Sequence, residues 1–190
     1  MRVLQKKGIL SMKRSSMENE IHTSRLILRK LKETDADAVF LWGSDPVVNQ
    51  YMIYPLYKNV EDVRTWLRSL DPDDPDNFDM GFVLKETGEL IGSGGLVYHP
   101  KRDAWIVGYN LRADQWGRGY VVEAIEALLA HIEKTRPIHR MEATIAKDNP
   151  NSIRVAEKLG MTYVEDTSFD KLDGSKTFHA GLYRREFAQG

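Results

Sequence analysis

The residues Gln115-Trp116-Gly117-Arg118-Gly119-Tyr120-Val121 have the types and spacing to do chemistry. They follow a segment that reads as a strand and open the strongest helical pattern in the chain. Glycines at such a turn accept positive φ and let backbone N–H groups approach a ligand. The helix start adds unpaired N–H groups and about half a unit of positive charge, which suits a phosphate. Arg118 can add a formal charge at the rim. Two other phosphate loops are excluded. A dinucleotide fingerprint requires a third glycine where Val122 stands, and a P-loop requires Gly-Lys followed by Ser or Thr. Two glycines alone also serve a strand-to-helix turn with no ligand at all. Further on, Asn149 precedes Pro150, a favoured helix start with the amide at the N-cap and proline at the first helical position. Ser152 then falls at the third helical position, where a hydroxyl can satisfy the helix end.

The remaining composition narrows the choices. At 190 residues the chain suits one domain with a proper core. Four Trp, eight Tyr and six Phe supply large side chains to bury. No cysteine is present, which removes disulfides, thiolate metal sites and a cysteine nucleophile together. A formal net charge of −1 argues against a protein built around nucleic acid. No run of 18 apolar residues exists to span a membrane. The expectation is a soluble, cytoplasmic protein, monomeric or a homodimer, with no metal, no nucleic acid and no membrane among its partners. Residues 1–20 read as a flexible basic leader carrying Arg2, Lys6, Lys7, Lys13 and Arg14, and residues 21–190 as the folded domain.

The elements that must position the glycine turn follow from periodicity. Arg25 to Arg29 reads as a strand. Asp35 and Asp37 then precede a short helix over Ala38 to Trp42. Val63, Trp66, Leu67 and Leu70 recur at helical spacing and predict a helix from Val60 to Leu70. Pro72 and Pro75 stop it. Three strands follow, Met80 to Lys85, Leu90 to Tyr98 and Ala104 to Leu111, joined by turns short enough for antiparallel neighbours. Behind the glycine turn, Val121, Ile125, Leu128, Leu129 and Ile132 form one apolar stripe. Met141 to Ala146 reads as a strand, Pro150 to Leu159 as a helix, and Met161 to Glu165 and Phe178 to Phe187 as closing strands. The fold class is α/β: an antiparallel first part, then two β-α units that favour parallel pairing.

Trp116 to Ala124 resembles the coenzyme A loop of the GCN5-related N-acetyltransferases (GNAT), within them the branch that includes ribosomal-protein N-terminal acetyltransferases. Asn149-Pro150-Asn151-Ser152-Ile153-Arg154-Val155-Ala156-Glu157-Lys158-Leu159-Gly160-Met161 resembles a second segment of that branch, correctly spaced after the first. Gly92 to Leu96, Gly108 to Leu111 and Leu182 to Phe187 also fit, so the resemblance covers about Ile21 to Phe187. Val121 stands where the family usually has a small residue, and Met161 where it has Phe. The resemblance implies a mixed sheet of about six to seven strands with a parallel pair near the coenzyme, flanked by about four helices.

The resemblance also implies acetyl-CoA as co-substrate and an amine as acceptor. Backbone groups of Tyr109, Asn110 and Leu111 would meet the pantetheine arm. Trp116, Gly117, Arg118, Gly119, Tyr120 and Val121 would hold the pyrophosphate, and Asn149 and Ser152 would face the coenzyme. Ser152 is the implied proton donor to the departing sulfur, because the family's tyrosine acid falls at Ala156. The family's acidic residue two positions before the strand glycine falls at Ile106, so His99, Asp103 and Glu142 remain as base candidates, each also read as a solvated surface residue. A lysine of pKa about 10.4 is roughly 0.1% neutral at pH 7.5, a deprotonation cost of about 4 kcal/mol. An α-amine near 7.8 loses only a few tenths of a kcal/mol. The missing carboxylate therefore leans toward a protein or peptide N-terminal α-amine, attacked directly in a ternary complex. The alternatives are a small amine, such as an aminoglycoside or polyamine, and a non-catalytic acyl-CoA sensor. Acceptor contacts are expected from Trp42 to Tyr57 and Asp166 to Thr177. Asp71, Asp73, Asp74, Asp76 and Asp79 read as a solvated acidic loop, with attraction of a cationic acceptor as the functional reading. Pro72, Pro75 and the lack of a closing Glu exclude an EF-hand there.

Overall fold

Apolar periodicity becomes burial most directly in the helix behind the glycine turn. In the computed structural model, which describes residues 20–188, that helix (α4) spans Tyr120–Ile132. Its stripe residues Val121, Ile125, Leu128, Leu129 and Ile132 are all buried. They pack on one face of a sheet whose strands contribute Leu26, Leu28, Met80, Phe82, Leu96, Trp105, Val107 and Met141. A smaller core covers the opposite face. There α1 (Ala36–Gly43) and α3 (Val60–Ser69) bring Ala36, Val39, Trp42, Val63 and Leu67 onto Val83 and Leu90. Phe82 and Val83, neighbours along one strand, thus enter different cores, as the two-residue strand period requires.

The strands are β1 Ile21–His22, β2 Leu26–Arg29, β3 Asn77–Leu84, β4 Leu90–His99, β5 Ala104–Leu111, β6 Arg140–Ala146, β7 Thr162–Asp170 and β8 Thr177–Glu186. They form one sheet in the order β1-β2-β3-β4-β5-β6-β8-β7. From β1 to β5 every pairing is antiparallel, as the short turns predict. The chain then crosses through α4 and returns parallel, β5 pairing β6. Five helices flank the sheet, the remaining two being α2 (Pro46–Asn49) and α5 (Pro150–Lys158).

The fold class is as expected, and three details differ among the described residues. Eight strands are present where six or seven were expected, the extra pairing coming from the two-residue β1. Five helices replace four, because Asp45 caps a short turn of helix starting at Pro46 by accepting from the Val47 N–H at 2.8 Å. The second β-α unit does not form a parallel pair. β8 lies between β6 and β7 and runs antiparallel to both, so those two strands share a direction without touching as neighbours. The basic leader lies outside the described residues, apart from its last position, Glu20.

One irregularity matters for the site. Parallel pairing of β5 with β6 extends over only two positions, Trp105 with Met141 and Ile106 with Glu142. Beyond them, residues 107–111 of β5 and 143–146 of β6 have no partner in each other. The sheet opens there into a wedge between its two halves.

Candidate active site

Gly117 and Gly119 adopt φ of 75° and 80°, the left-handed region that glycine occupies without a Cβ penalty. Gly119 is the N-cap of α4 and has no side chain with which to cap it. The N–H groups at the helix start are therefore left for another acceptor. The turn is held from behind. Trp116 donates its indole N–H to the Leu111 carbonyl at 2.8 Å, and Arg25 donates from Nη1 to the Arg118 carbonyl at 2.9 Å. Arg25 itself is fixed by Glu123 on the first turn of α4, through its backbone N–H at 2.8 Å and its Nε at 2.7 Å. Thr23 and Ser24 donate to the same carboxylate at 2.6 and 2.9 Å. Burial alone would raise the pKa of Glu123, but these four donors outweigh it and bring it down to about 2.

At the other side of the wedge, Asn149 caps α5. Its Oδ1 accepts from the Ser152 N–H at 3.2 Å, and its Nδ2 donates to Ser152 Oγ at 3.0 Å. The serine hydroxyl thus has a lone pair engaged and its hydrogen free to donate elsewhere. Tyr109 reaches the same turn, its hydroxyl 3.5 Å from the Ser152 carbonyl. Burial pushes the Tyr109 phenol up to about 12, so it is a neutral donor at physiological pH.

Two cavities meet here. The first, of about 470 Å³, is lined by Tyr109, Asn110, Leu111, Trp116, Gly117, Gly119, Tyr120, Val121, Asn149 and Ser152. All but one of the sequence-derived coenzyme residues thus line one cavity. The exception is Arg118, whose side chain is exposed and is not part of the lining, while its carbonyl is tied to Arg25. Val121 lines this cavity and is also a buried core residue, which accounts for its bulk. Met161 belongs to the core, as does Ala156.

The second cavity, about 630 Å³, lies over Gly94, Gly95, Ile106 and Gly108. The two cavities share Tyr51, Met52, Tyr109, Asn110, Asn149 and Ser152. Its outer wall comes from the two segments expected to hold the acceptor, through Tyr51–Tyr54 on one side and Thr167–Phe169 on the other. These segments are joined. Lys171 donates to Asn49 Oδ1 at 2.6 Å, and the Leu172 N–H donates to the Ile53 carbonyl at 2.8 Å.

The base candidates separate cleanly. Glu142 is 1% exposed and ion-paired, to Arg184 at 2.7 Å and to Arg102 at 2.6 Å. It is structural, not the surface residue expected. Asp103 accepts from the Tyr98 hydroxyl at 2.7 Å. Neither these nor His99 lines either cavity. Of the acidic stretch, Asp76 pairs with Arg136 at 2.6 Å, whereas Asp79 is not in the loop at all but in β3, facing the second cavity. No catalytic motif marks Asp79; the register of three strands places it beside Gly95 and Gly108.

The arrangement is an uncapped helix start lining one cavity and a second cavity that adjoins it at Tyr51, Met52, Tyr109, Asn110, Asn149 and Ser152. Residues 25–162 match the family model described as an acetyltransferase (GNAT) domain. The chain belongs to the GNAT family. It is therefore an acetyl-CoA-dependent acyltransferase by class. An uncharacterized N-acetyltransferase of Bacillus licheniformis is 29% identical over 142 residues, covering 73% of this chain and 80% of the relative. YkkB of Bacillus subtilis is 31% identical over 152 residues, covering 77% and 87%. Among solved structures, a GNAT acetyltransferase from Bacillus anthracis aligns with a TM-score of 0.71 at 24% identity, covering 88% of this chain and 98% of that one. The ribosomal-protein α-N-acetyltransferase RimL, solved with coenzyme A, aligns with a TM-score of 0.71 at 21% identity, covering 88% and 97%. Among the described residues no helix is long and apolar enough to cross a membrane, and no cluster of His, Asp or Glu could hold a metal.

The GNAT co-substrate can be tested against these residues. A coenzyme needs a phosphate cradle and an edge of free backbone groups, and the uncapped start of α4 and the unpaired edge of β5 supply both. Asn110 Oδ1, buried without a hydrogen-bond partner among the described residues, adds a waiting acceptor on the same wall. The residues fit the group.

Proposed function

We propose that this protein acetylates the α-amine of a protein or peptide N-terminus, with acetyl-CoA as donor, by direct attack in a ternary complex. The observation that carries the reading is the convergence of the two cavities at Tyr109, Asn110, Asn149 and Ser152. A donor and an acceptor entering from these two cavities would meet there.

Acetyl-CoA supplies an activated acetyl thioester. The chain supplies the rest. Backbone N–H groups from Gly117 to Val121, at the positive end of α4, bind the pyrophosphate. The free edge of β5 from Tyr109 to Leu111 orients the pantetheine arm. Ser152, its oxygen engaged by Asn149, directs its proton toward the departing sulfur. Positioning of two reactants in adjoining cavities accounts for much of the rate, and no cysteine is present for an acyl-enzyme route.

Two points favour an α-amine. The carboxylates weighed from sequence are engaged by arginine or tyrosine, and an α-amine needs far less deprotonation than lysine. The fold is also shared with RimL, an enzyme of that acceptor class. The test is calorimetric titration with acetyl-CoA, followed by thiol release on three acceptors: a peptide with a free N-terminus, an N-blocked peptide with one lysine, and a small polyamine. Micromolar binding with release on the first is expected. Faster release on the lysine peptide would remove the α-amine assignment, and absence of acetyl-CoA binding would remove the whole reading.

A further inference from the structure

The row of residues that crosses the sheet beneath the second cavity runs Asp79, Gly95, Gly108. Asp79 in β3 pairs with Gly95 in β4, and Gly95 pairs with Gly108 in β5. At a strand spacing of about 4.8 Å, Asp79 lies about 10 Å from the Gly108 backbone, with only Gly95 between. A Cβ at Gly108 would meet nothing within 4 Å, so the β5 end of the row is open, and at Gly95 the close Phe78 carbonyl leaves room for no side chain between carboxylate and β5. The adjacent row holds Ile106 paired with Val97, both apolar and both lining the cavity.

Asp79 is unlike the other aspartates of its stretch. Its Oδ1 is shut off from water and has no hydrogen-bond partner among the described residues. A buried acceptor without a donor is costly in a finished fold, so such a group points to a ligand that brings the donor. We infer that Asp79 is the group that receives the proton of the acceptor amine, the carboxylate that the Ile106 position lacks. This deepens the proposed acetyl transfer and rests on it. The acceptor enters as an ammonium and gives one proton to Asp79 through water in the second cavity. The new C–N bond forms as the C–S bond breaks. The second proton of the nitrogen ends on the released thiol, with Ser152 as relay, and Asp79 returns its own to solvent.

The electrostatics suit the role. Burial pushes the Asp79 carboxyl up to about 6, opposed by the field of Lys30. Lys30 is itself committed, donating to the Asn77 carbonyl at 2.6 Å. The other charged or titratable groups facing this cavity are Tyr51, Tyr54, Tyr109 and Arg102. Burial raises the pKa of Tyr54 far enough to keep it neutral, and Arg102 is held by Glu142. A base near 6 is ionised at pH 7.5 and lies within about two pH units of an α-ammonium, against more than four for lysine. The same carboxylate therefore selects the low-pKa amine.

The test compares wild type with Asp79→Asn. With a peptide α-amine at pH 7.5, the variant should lose about 10²–10³-fold in kcat/KM, and the acidic limb near pH 6 should vanish from its pH profile. Acetyl-CoA affinity by calorimetry should stay within about twofold. An arylamine acceptor, neutral at this pH, should be acetylated by both proteins at rates within a few-fold, which a merely structural role would not allow. Carbon-13 NMR of the wild-type carboxyl should show titration near 6 that moves on adding peptide, a readout that stands even where the variant fails to fold. Retention of the acidic limb by the variant, an equal loss on the arylamine, or titration near the ordinary value of about 4 would each overturn the assignment. A wild type that binds acetyl-CoA yet turns over no amine would instead refute the acetyl-transfer reading, and the assignment with it.

Discussion

Glu123→Gln tests how the coenzyme turn is held. The wild-type carboxylate accepts from Thr23, Ser24 and the Arg25 N–H on Oε1 and from Arg25 Nε on Oε2. A glutamine can keep three of these donors on its oxygen, but its NH₂ then faces the Arg25 Nε–H, donor against donor. A carboxyl moved from about 4.5 to about 2 corresponds to about 3 kcal/mol if the whole difference enters folding. Arg25 is 46% exposed, so solvent screening reduces this to about 1–2 kcal/mol. The sign follows from the depressed folded-state pKa. Stabilisation is complete above the unfolded value of about 4.5 and drains as pH falls toward 2. Urea unfolding followed by tryptophan fluorescence should place the variant about 1–2 kcal/mol below wild type at pH 7 and equally so at pH 5.5, with a Tm about 3–6 °C lower. At pH 3.5 the gap should have narrowed. A gap that stays constant down to pH 3.5 would refute the argument, because it would mean that the cost lies in packing and not in the charge.

Four further variants follow from the same geometry. Gly108→Ala adds a methyl where nothing lies within 4 Å, so stability should change by less than about 0.5 kcal/mol while KM for the acceptor rises, read by unfolding and steady-state kinetics together. Gly95→Ala would instead overlap the Phe78 carbonyl oxygen and should destabilise by about 1–3 kcal/mol or more, visible in the urea midpoint. Asn149→Ala removes the α5 cap and the hydrogen bond to Ser152 Oγ; about 1 kcal/mol of stability should be lost in urea, with weaker acetyl-CoA binding by calorimetry. Replacing Asp71, Asp73 and Asp74 together by Asn should leave acceptor KM unchanged, since none of them lines either cavity.

What could be read from sequence was what is local. The α4 stripe, the glycine turn, the Asn149 cap and the short antiparallel turns each involve residues within one or two turns of chain. Their structure matches the reading to within a few residues. The misses share a different cause. Insertion of β8 between β6 and β7 depends on which strand wins an edge, and no periodicity within β6, β7 or β8 encodes that. Glu142 looked like a surface carboxylate because Arg102 and Arg184, its partners, are 40 and 42 residues away. Asp79 sat at the end of a run of solvated aspartates, and its different fate comes from register against Gly95 and Gly108. One signal was available: Phe78, Met80, Phe82 and Leu84 alternate, which carries the strand expected from Met80 back past Asp79.

The two-position ladder between β5 and β6 has a consequence for how this protein can diverge. In the proposed site, the donor is gripped by main-chain atoms at the wedge and at the start of α4, and main-chain atoms survive almost any exchange of side chain. The acceptor is gripped by side chains from the Tyr51–Tyr54 segment and the end of β7, which are joined through Lys171 and Leu172. Random substitution therefore falls unevenly on the two halves of the reaction. It leaves the donor half largely intact while it continually rewrites the acceptor half, so the scaffold can explore new amines without first losing its acetyl supply.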